Sequence, residues 1–235
     1  MKKTILIFTL SAISFLFLSC SAQNKTIQNN NINSNYKYLA LGDSYTIGES
    51  VCDTCRFPEQ LKKGLDGRLN KNGNLKIIAK TGWTTTDLLN AIAPQEPASN
   101  YDLVTLLIGV NNQYQGMPFS VYEKEFPELL DKAIQLASGN KDHVIVVSIP
   151  DYAFTPFGQT KDNTPKISEE LNRYNAFAEK ISEQKGVAFV NITPITRKGL
   201  ADESLVASDG LHPSKEAYEQ FVKLLHAKAI NILKD

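Results

Sequence analysis

The chain has 235 residues, of which 42% are hydrophobic, and its formal net charge is zero. This length suits one medium-sized domain with a buried core, and the apolar share is ordinary for a globular protein. Because phosphate binding needs clustered Lys and Arg, the balanced charge argues against nucleic acid as a partner.

The first residues have the pattern of an export signal. Lys2 and Lys3 give a positive start, and residues 4–18 are almost continuously apolar. This stretch of about 15 residues is shorter than the roughly 20 that a membrane-spanning helix needs. The sequence therefore predicts a signal peptide over residues 1–20 and an exported protein of the periplasm or outer cell envelope. An uncleaved membrane anchor is the alternative.

Two processing sites compete at the end of this signal. The run Phe17-Leu18-Ser19-Cys20 resembles a bacterial lipoprotein signal, in which the Cys becomes the lipidated first residue, although Leu18 lies one place closer to the Cys than usual. The alternative is ordinary cleavage after Ala22, at a loose small-x-small site. We favour lipidation of Cys20, which would associate the protein with a membrane without spanning it. The Asn-rich residues 21–35 are predicted to form a flexible tether.

From residue 36 onward, short apolar runs alternate with longer amphipathic stretches. The runs predict buried strands at Tyr38–Leu41, Leu75–Ala79, Leu103–Ile108, Val144–Ile149 and Val187–Val190. The amphipathic stretches predict helices at Glu59–Leu69, Thr86–Ala93, Tyr122–Ala137, Ile167–Gln184 and Ser214–Leu233. This alternation predicts one doubly wound α/β domain over residues 36–235, with helices on both faces of a parallel sheet.

Cys52 and Cys55 lie in the predicted loop after the first strand. In an exported protein this spacing is compatible with a short-loop disulfide, which we favour, and with free thiols or a redox motif. Zinc is not expected, because no second Cys pair or nearby His completes a ligand set.

The first candidate catalytic residues follow the first strand, in the run Gly42-Asp43-Ser44-Tyr45-Thr46. A Ser at a strand-to-helix turn points its hydroxyl to the edge of the sheet where α/β proteins bind ligands, and free N–H groups there can stabilise an oxyanion. The run is not the G-x-S-x-G motif, because Thr46 occupies the last Gly position. Taken alone, the run is a weak signal and is more typical of an ordinary turn.

The run Asp209-Gly210-Leu211-His212-Pro213, just before the last helix, supplies a possible base. His212 has the right chemistry to accept a proton from Ser44, and Asp209 can fold back to hold its tautomer. A simple helix cap is the alternative reading. For His143 and His226, structural or surface roles are expected.

The order of these motifs resembles the SGNH (GDSL-type) hydrolase family, which includes the lysophospholipase L1-like bacterial esterases. That family also has a Gly in a second block and an Asn in a third, which here are Gly82 and Asn111. The resemblance implies a flavodoxin-like, three-layer α/β/α fold with a five-stranded parallel sheet, and a serine esterase that needs no cofactor or metal. The implied oxyanion donors are the Ser44 and Gly82 N–H groups and the Asn111 amide. One residue departs from the pattern, since Asn112 replaces the usual Asp.

The substrate is less well defined. Trp83, Tyr152, Phe154 and Phe157 are candidates for pocket walls, although they could equally pack their loops onto the body of the protein. The expected substrate is a small-molecule or glycan ester, such as a lysophospholipid or short-acyl ester. The alternatives are an O-acetylesterase acting on polysaccharide or peptidoglycan and, more distantly, a non-catalytic carbohydrate-binding surface lipoprotein.

Overall fold

The computed structural model describes residues 35–95 and 97–234. Its centre is a five-stranded sheet in the order β2-β1-β3-β4-β5, in which every pairing is parallel. The strands are β1 (Asn35–Gly42), β2 (Asn72–Ala79), β3 (Leu103–Leu107), β4 (Val144–Val147) and β5 (Ala188–Val190). This order is the flavodoxin-like one, and it confirms the predicted doubly wound α/β fold.

Helices connect the strands. Over the described residues they are α1 (Ser44–Ile47), α2 (Phe57–Leu69), α3 (Thr85–Ile92), α4 (Val110–Tyr114), α5 (Phe119–Leu136), α6 (Thr164–Lys185), α7 (Thr193–Thr196) and α8 (Lys215–Lys234). The five longer helices, α2, α3, α5, α6 and α8, are those the sequence predicts, with ends displaced by a few residues. The sequence does not predict α1, α4 and α7, because a helix of one turn has no repeating apolar pattern.

Helices pack on the sheet so that its central strands lie wholly in the core. Every residue of β3 and of β4 is buried, as expected when both faces of a parallel sheet are covered. Helix α2 packs against α8, whereas α5 packs against both α3 and α6. In the described part of the chain, no helix has the length and apolar character needed to cross a membrane.

The amino ends of β1 and β2 extend further than the sequence predicts. Asn35 pairs with Asn72, so β1 begins one residue inside the predicted tether. Polar residues start both strands and conceal them from an analysis based on apolar runs. Gly73 allows the close pairing, because a Cβ there would lie 2.3 Å from Cζ of Tyr36. The predicted signal peptide, Cys20 and the rest of the tether lie outside the described residues.

The opposite edge of the sheet brings the sequence motifs together. Gly42, the last residue of β1, is in register with Ala79 at the end of β2 and with Leu107 at the end of β3. The loops after these three strands therefore leave the sheet side by side. They carry Ser44, Gly82 and Asn111, respectively.

Candidate active site

Ser44 is the first residue of α1 and is 5% exposed. The turn that presents it is held by Asp43, whose Oδ1 accepts the Tyr45 backbone N–H over 3.0 Å. Gly42 makes the turn possible, since a Cβ there would lie 2.4 Å from the Leu107 carbonyl oxygen and would also collide with Thr46. The local sequence thus places the Ser44 hydroxyl at the end of the central strands.

Asp43 itself is completely buried, and its Oδ2 has no hydrogen-bond partner in the structure. Burial disfavours the carboxylate form and raises the pKa of Asp43 to about 7, against which the bond from Tyr45 N–H acts only in part. Asp43 therefore shapes the turn, and the free energy of burying its carboxyl group depends on pH.

His212 and Asp209 form a bonded pair. His212 Nδ1 lies 2.6 Å from Asp209 Oδ2, and Asp209 Oδ1 accepts the backbone N–H groups of Leu211 and His212, each over 2.9 Å. Gly210 closes the turn with a φ of +70°. Because Nδ1 faces a carboxylate, it carries the proton and leaves Nε2 as the basic nitrogen.

The surroundings of Asp209 keep it ionised. Burial alone would raise its pKa, but hydrogen bonds from Ser50, from the His212 ring and from the two backbone N–H groups outweigh burial and lower the pKa to about 2. His212 is 8% exposed, and its ring packs edge-on against the Tyr45 ring, with 5.6 Å between their centroids. Its orientation is therefore fixed from both sides.

Gly82 and Asn111 occupy the second and third loops. Gly82 has a φ of +84°, yet a Cβ there would meet nothing within 4 Å. The left-handed backbone therefore favours glycine at this position. Asn111 Nδ2 donates to the Trp83 carbonyl over 2.9 Å. An amide has two N–H groups, so this bond orients Asn111 and leaves one donor for a ligand.

Asn112, the departure from the family pattern, is fully buried and makes two hydrogen bonds to Thr85. Its Oδ1 accepts the Thr85 backbone N–H over 3.0 Å, and its Nδ2 donates to Thr85 Oγ1 over 2.7 Å. The Thr85 hydroxyl in turn donates to Glu125. Because the Thr85 hydroxyl donates its one proton to Glu125, it can only accept a hydrogen bond from residue 112. The amide of Asn can donate this bond, whereas an ionised Asp cannot.

One cavity of about 210 Å³ collects most of these groups. It is lined by Ser44, Tyr45, Thr81, Gly82, Val110, Asn111, Tyr114, Tyr152, Leu211 and His212. The candidate nucleophile, base and oxyanion donors thus share one space, with Asp209 bonded to the far side of the His212 ring.

The predicted aromatic walls fare unequally. Tyr152 lines the cavity, and its hydroxyl donates to Gln113 over 2.9 Å. Trp83 is half-buried and is not among the lining residues, whereas Phe154 lines a separate groove. Phe157 packs on Tyr114, with ring centroids 6.3 Å apart, and does not line the cavity either.

Tyr114 is a wall residue that the sequence analysis misses. Tyr114 is 48% exposed, although it lines the cavity. It lies one helical turn after Asn111, so recognition of α4 would have placed both residues on the same helix face.

Among the described residues, the other two histidines and the two cysteines do not line this cavity. His143 lies directly before β4, and His226 of α8 lies next to Gly64 of α2. Cys52 and Cys55 are joined by a disulfide. Among the described residues, no group of three or more His, Cys, Asp or Glu side chains could hold a metal ion.

Comparison with known proteins gives this geometry its family. A family model described as GDSL-like lipase/acylhydrolase matches residues 40–220, which is most of the chain. The chain belongs to this family. It is therefore a carboxylic ester hydrolase, as the resemblance to the SGNH hydrolases implied. The spore germination lipase LipC of Bacillus licheniformis is 25% identical over 211 residues, covering 81% of this chain and 95% of LipC.

Solved structures of esterases share the fold. The psychrotrophic esterase EstA from Pseudoalteromonas sp. superimposes with a TM-score of 0.62 at 16% identity, covering 85% of this chain and all of EstA. The acetylxylan esterase Axe2 from Geobacillus stearothermophilus gives a TM-score of 0.61 at 19% identity, covering 84% and 95% of the two chains. At such low identity these likenesses bear on the fold alone.

Proposed function

We propose that this hydrolase is a serine esterase for short-acyl esters, with Ser44 as nucleophile, His212 as base and Asp209 as the group that orients the base. The observation that carries the proposal is the shared cavity: Ser44 and His212 line it together, and His212 Nδ1 is bonded to Asp209 over 2.6 Å.

Each step uses one of these groups. Ser44 Oγ attacks the ester carbonyl carbon while His212 Nε2 takes the hydroxyl proton. The carbonyl oxygen gains negative charge, and the Ser44 and Gly82 N–H groups and the Asn111 amide are the proposed donors to it. The tetrahedral intermediate expels the alcohol, which receives the proton from His212. Water, activated in the same way, then hydrolyses the acyl-enzyme and releases the acid.

The size of the cavity supports a short acyl group. Its volume of about 210 Å³ is of the same order as the roughly 150 Å³ cavity that holds a benzene-sized molecule. A long fatty acyl chain would extend into solvent, where its burial would contribute little binding energy. We therefore favour acetyl to butyryl esters over lysophospholipids.

A second candidate, an O-acetylesterase acting on glycans, is favoured by a polar groove of about 430 Å³ beside the cavity. Tyr114 and Tyr152 line both spaces. The groove also contains Gln113, Lys161, Asn163, Lys166, Ile167 and Glu170, a set rich in hydrogen-bonding groups. Such a groove suits a hydroxylated alcohol portion, as in an acetylated sugar.

The decisive experiment compares p-nitrophenyl esters from acetate to laurate, using wild type and Ser44→Ala. We expect turnover that is highest for acetate to butyrate and a fall in kcat of at least about 10³-fold in the variant. Equal rates for the two proteins would overturn the role of Ser44. An optimum at laurate would overturn the short-acyl preference, and a higher kcat/KM for acetylated xylooligosaccharides than for p-nitrophenyl acetate would favour the glycan reading.

We further propose that the enzyme is exported and anchored to a membrane through lipidated Cys20. The support is the sequence: a positive start, a short apolar stretch and a Cys that follows it after one Ser. The expected result is that the wild-type enzyme partitions into the detergent phase of a Triton X-114 extraction and that Cys20→Ala moves it to the aqueous phase. Unchanged partitioning of the variant would refute lipid attachment.

A further inference from the structure

Ser50 lies in the loop after α1, the helix that begins with Ser44, and its side chain contacts Asp209. Its Oγ donates to Asp209 Oδ2 over 2.6 Å, although the two residues are 159 positions apart. The same carboxylate oxygen bonds His212 Nδ1, also over 2.6 Å. The loop that follows the nucleophile is therefore bonded directly to the acid that orients the base.

This bond completes the set of donors around the Asp209 carboxylate. Oδ1 accepts two backbone N–H groups, from Leu211 and His212, and Oδ2 accepts the His212 ring and Ser50. A hydroxyl that donates to a carboxylate makes a stronger bond than one between neutral groups. Since the Asp209 side chain is 28% exposed, removal of Ser50 Oγ would open Oδ2 to water and free the carboxylate to rotate away from His212.

The backbone at Ser50 is an independent sign that its side chain matters. Ser50 has a φ of +64°, in the left-handed region where glycine is the residue of least strain. Neighbouring contacts hold the loop in this shape: the Cys52–Cys55 disulfide follows it, and Arg56 donates to the Ile47 carbonyl over 3.3 Å. A strained serine at this point places a hydroxyl on Asp209, which glycine would not do.

We propose that Ser50 is a positioning residue of the active site, which fixes the Asp209 carboxylate so that it holds His212 as the base. The proposal rests on the proposed function in that it takes Asp209 to orient His212 during catalysis. Ser50 acts through Asp209 and needs no contact with the substrate.

The test is a pair of variants that separates the hydroxyl from the backbone. Ser50→Ala removes the hydroxyl and keeps the strained φ, whereas Ser50→Gly removes both the hydroxyl and the strain. We expect kcat for p-nitrophenyl acetate to fall roughly tenfold in both, with KM within about twofold of wild type. Ser50→Asn, which tolerates a positive φ and carries an amide donor, should recover part of kcat.

Ser138 provides a matched control. It also has a positive φ, of +59°, is exposed, and donates its hydroxyl to the Ser99 carbonyl in the loop before β3. Ser138→Ala and Ser138→Gly should leave kcat unchanged. A difference between Ser50→Ala and Ser50→Gly in thermal midpoint but not in kcat would support the proposal, because strain and hydroxyl would then act separately.

A spectroscopic readout does not depend on turnover. The downfield ¹H resonance of the His212 Nδ1 proton, which lies on the bond to Asp209, should shift in both Ser50 variants and stay in place in the Ser138 variants. Wild-type kcat in either Ser50 variant, or loss in Ser50→Ala with full activity in Ser50→Gly, would overturn the proposal. The two proposals can fail separately. Equal ester hydrolysis by wild type and Ser44→Ala would reject the proposed function. An unmoved Nδ1 proton resonance in the Ser50 variants would reject the effect of Ser50 on the Asp209–His212 bond.

Discussion

At the scale of single residues, the Asp209–His212 pair could be predicted because it is local. The two residues are three positions apart in a turn that contains Gly, so the sequence alone brings the carboxylate to the ring. The contact from Ser50 to Asp209 could not be predicted in this way, because it depends on how a distant loop folds. Asn112 is an intermediate case, visible in the sequence as a departure whose reason appears only when Thr85 and its bond to Glu125 are seen.

Asn112→Asp restores the usual family residue and is nevertheless expected to destabilise this protein. The new carboxylate would lose the bond to Thr85 Oγ1, whose proton already lies on Glu125, and would be fully buried near a second carboxylate. We expect a loss of about 1–3 kcal/mol in the free energy of unfolding, larger at pH 8 than at pH 5. Urea unfolding at the two pH values measures it.

A double variant provides the control for this prediction. In Glu125→Gln, the Thr85 hydroxyl no longer faces a carboxylate and can donate to the residue at position 112. Asn112→Asp should therefore cost less in the Glu125→Gln background than in wild type. If Asn112→Asp is as stable as wild type at both pH values, the Thr85 hydroxyl does not donate to Glu125 while accepting from residue 112.

At the scale of secondary structure, apolar runs and amphipathic spacing locate every long element, whereas short and polar elements escape them. Tertiary contacts fix the polar starts of β1 and β2 and the single-turn helices α1, α4 and α7. A periodic sequence pattern does not predict such contacts. Two of these short helices, α1 and α4, carry Ser44 and Asn111. The elements that matter most for the site are thus the ones least visible in the sequence, although their residues are recognisable as motifs.

The disulfide belongs to this scale, since it constrains the loop between α1 and α2. Closing the short loop from Cys52 to Cys55 should stabilise the fold by about 2 kcal/mol through the entropy of the unfolded chain. We expect Cys52→Ala/Cys55→Ala to unfold roughly 4–8 °C below wild type in a thermal scan. Reductant should lower the midpoint of the wild type similarly and leave the double variant unchanged. An equal effect of reductant on both proteins would place its action elsewhere.

At the scale of the whole molecule, the sheet order explains why motifs far apart in sequence meet. Strands β2, β1 and β3 are neighbours, so the loops that follow them must share one edge. The convergence of Ser44, Gly82 and Asn111 was therefore predictable from the alternation of strands and helices. The walls were not, because loop conformation decides where a side chain lies: Phe154 and Phe157 do not line the cavity, while Tyr114 does.

Global stability should also depend on pH through Asp43, the buried carboxyl beside Ser44. Its pKa is about 7 in the folded protein and near 4 in the unfolded chain, so folding takes up a proton between these values. The stabilisation is complete below about pH 4 and is lost as pH rises through 7, at up to about 1.4 kcal/mol per pH unit. Asp43→Asn removes this titration, so its stability relative to wild type should rise from about pH 4 to pH 7 and level off by pH 8.

Urea unfolding of wild type and Asp43→Asn at five pH values over this range tests the prediction, and Asp151→Asn provides the contrast. Asp151 is also fully buried but is paired with Arg197 at 2.9 Å, so its neutralisation should lower stability at neutral pH instead of relieving a cost. Parallel stability curves for wild type and Asp43→Asn would mean that Asp43 remains charged throughout. A buried water or cation next to its Oδ2 would then have to satisfy the oxygen that the fold leaves without a partner.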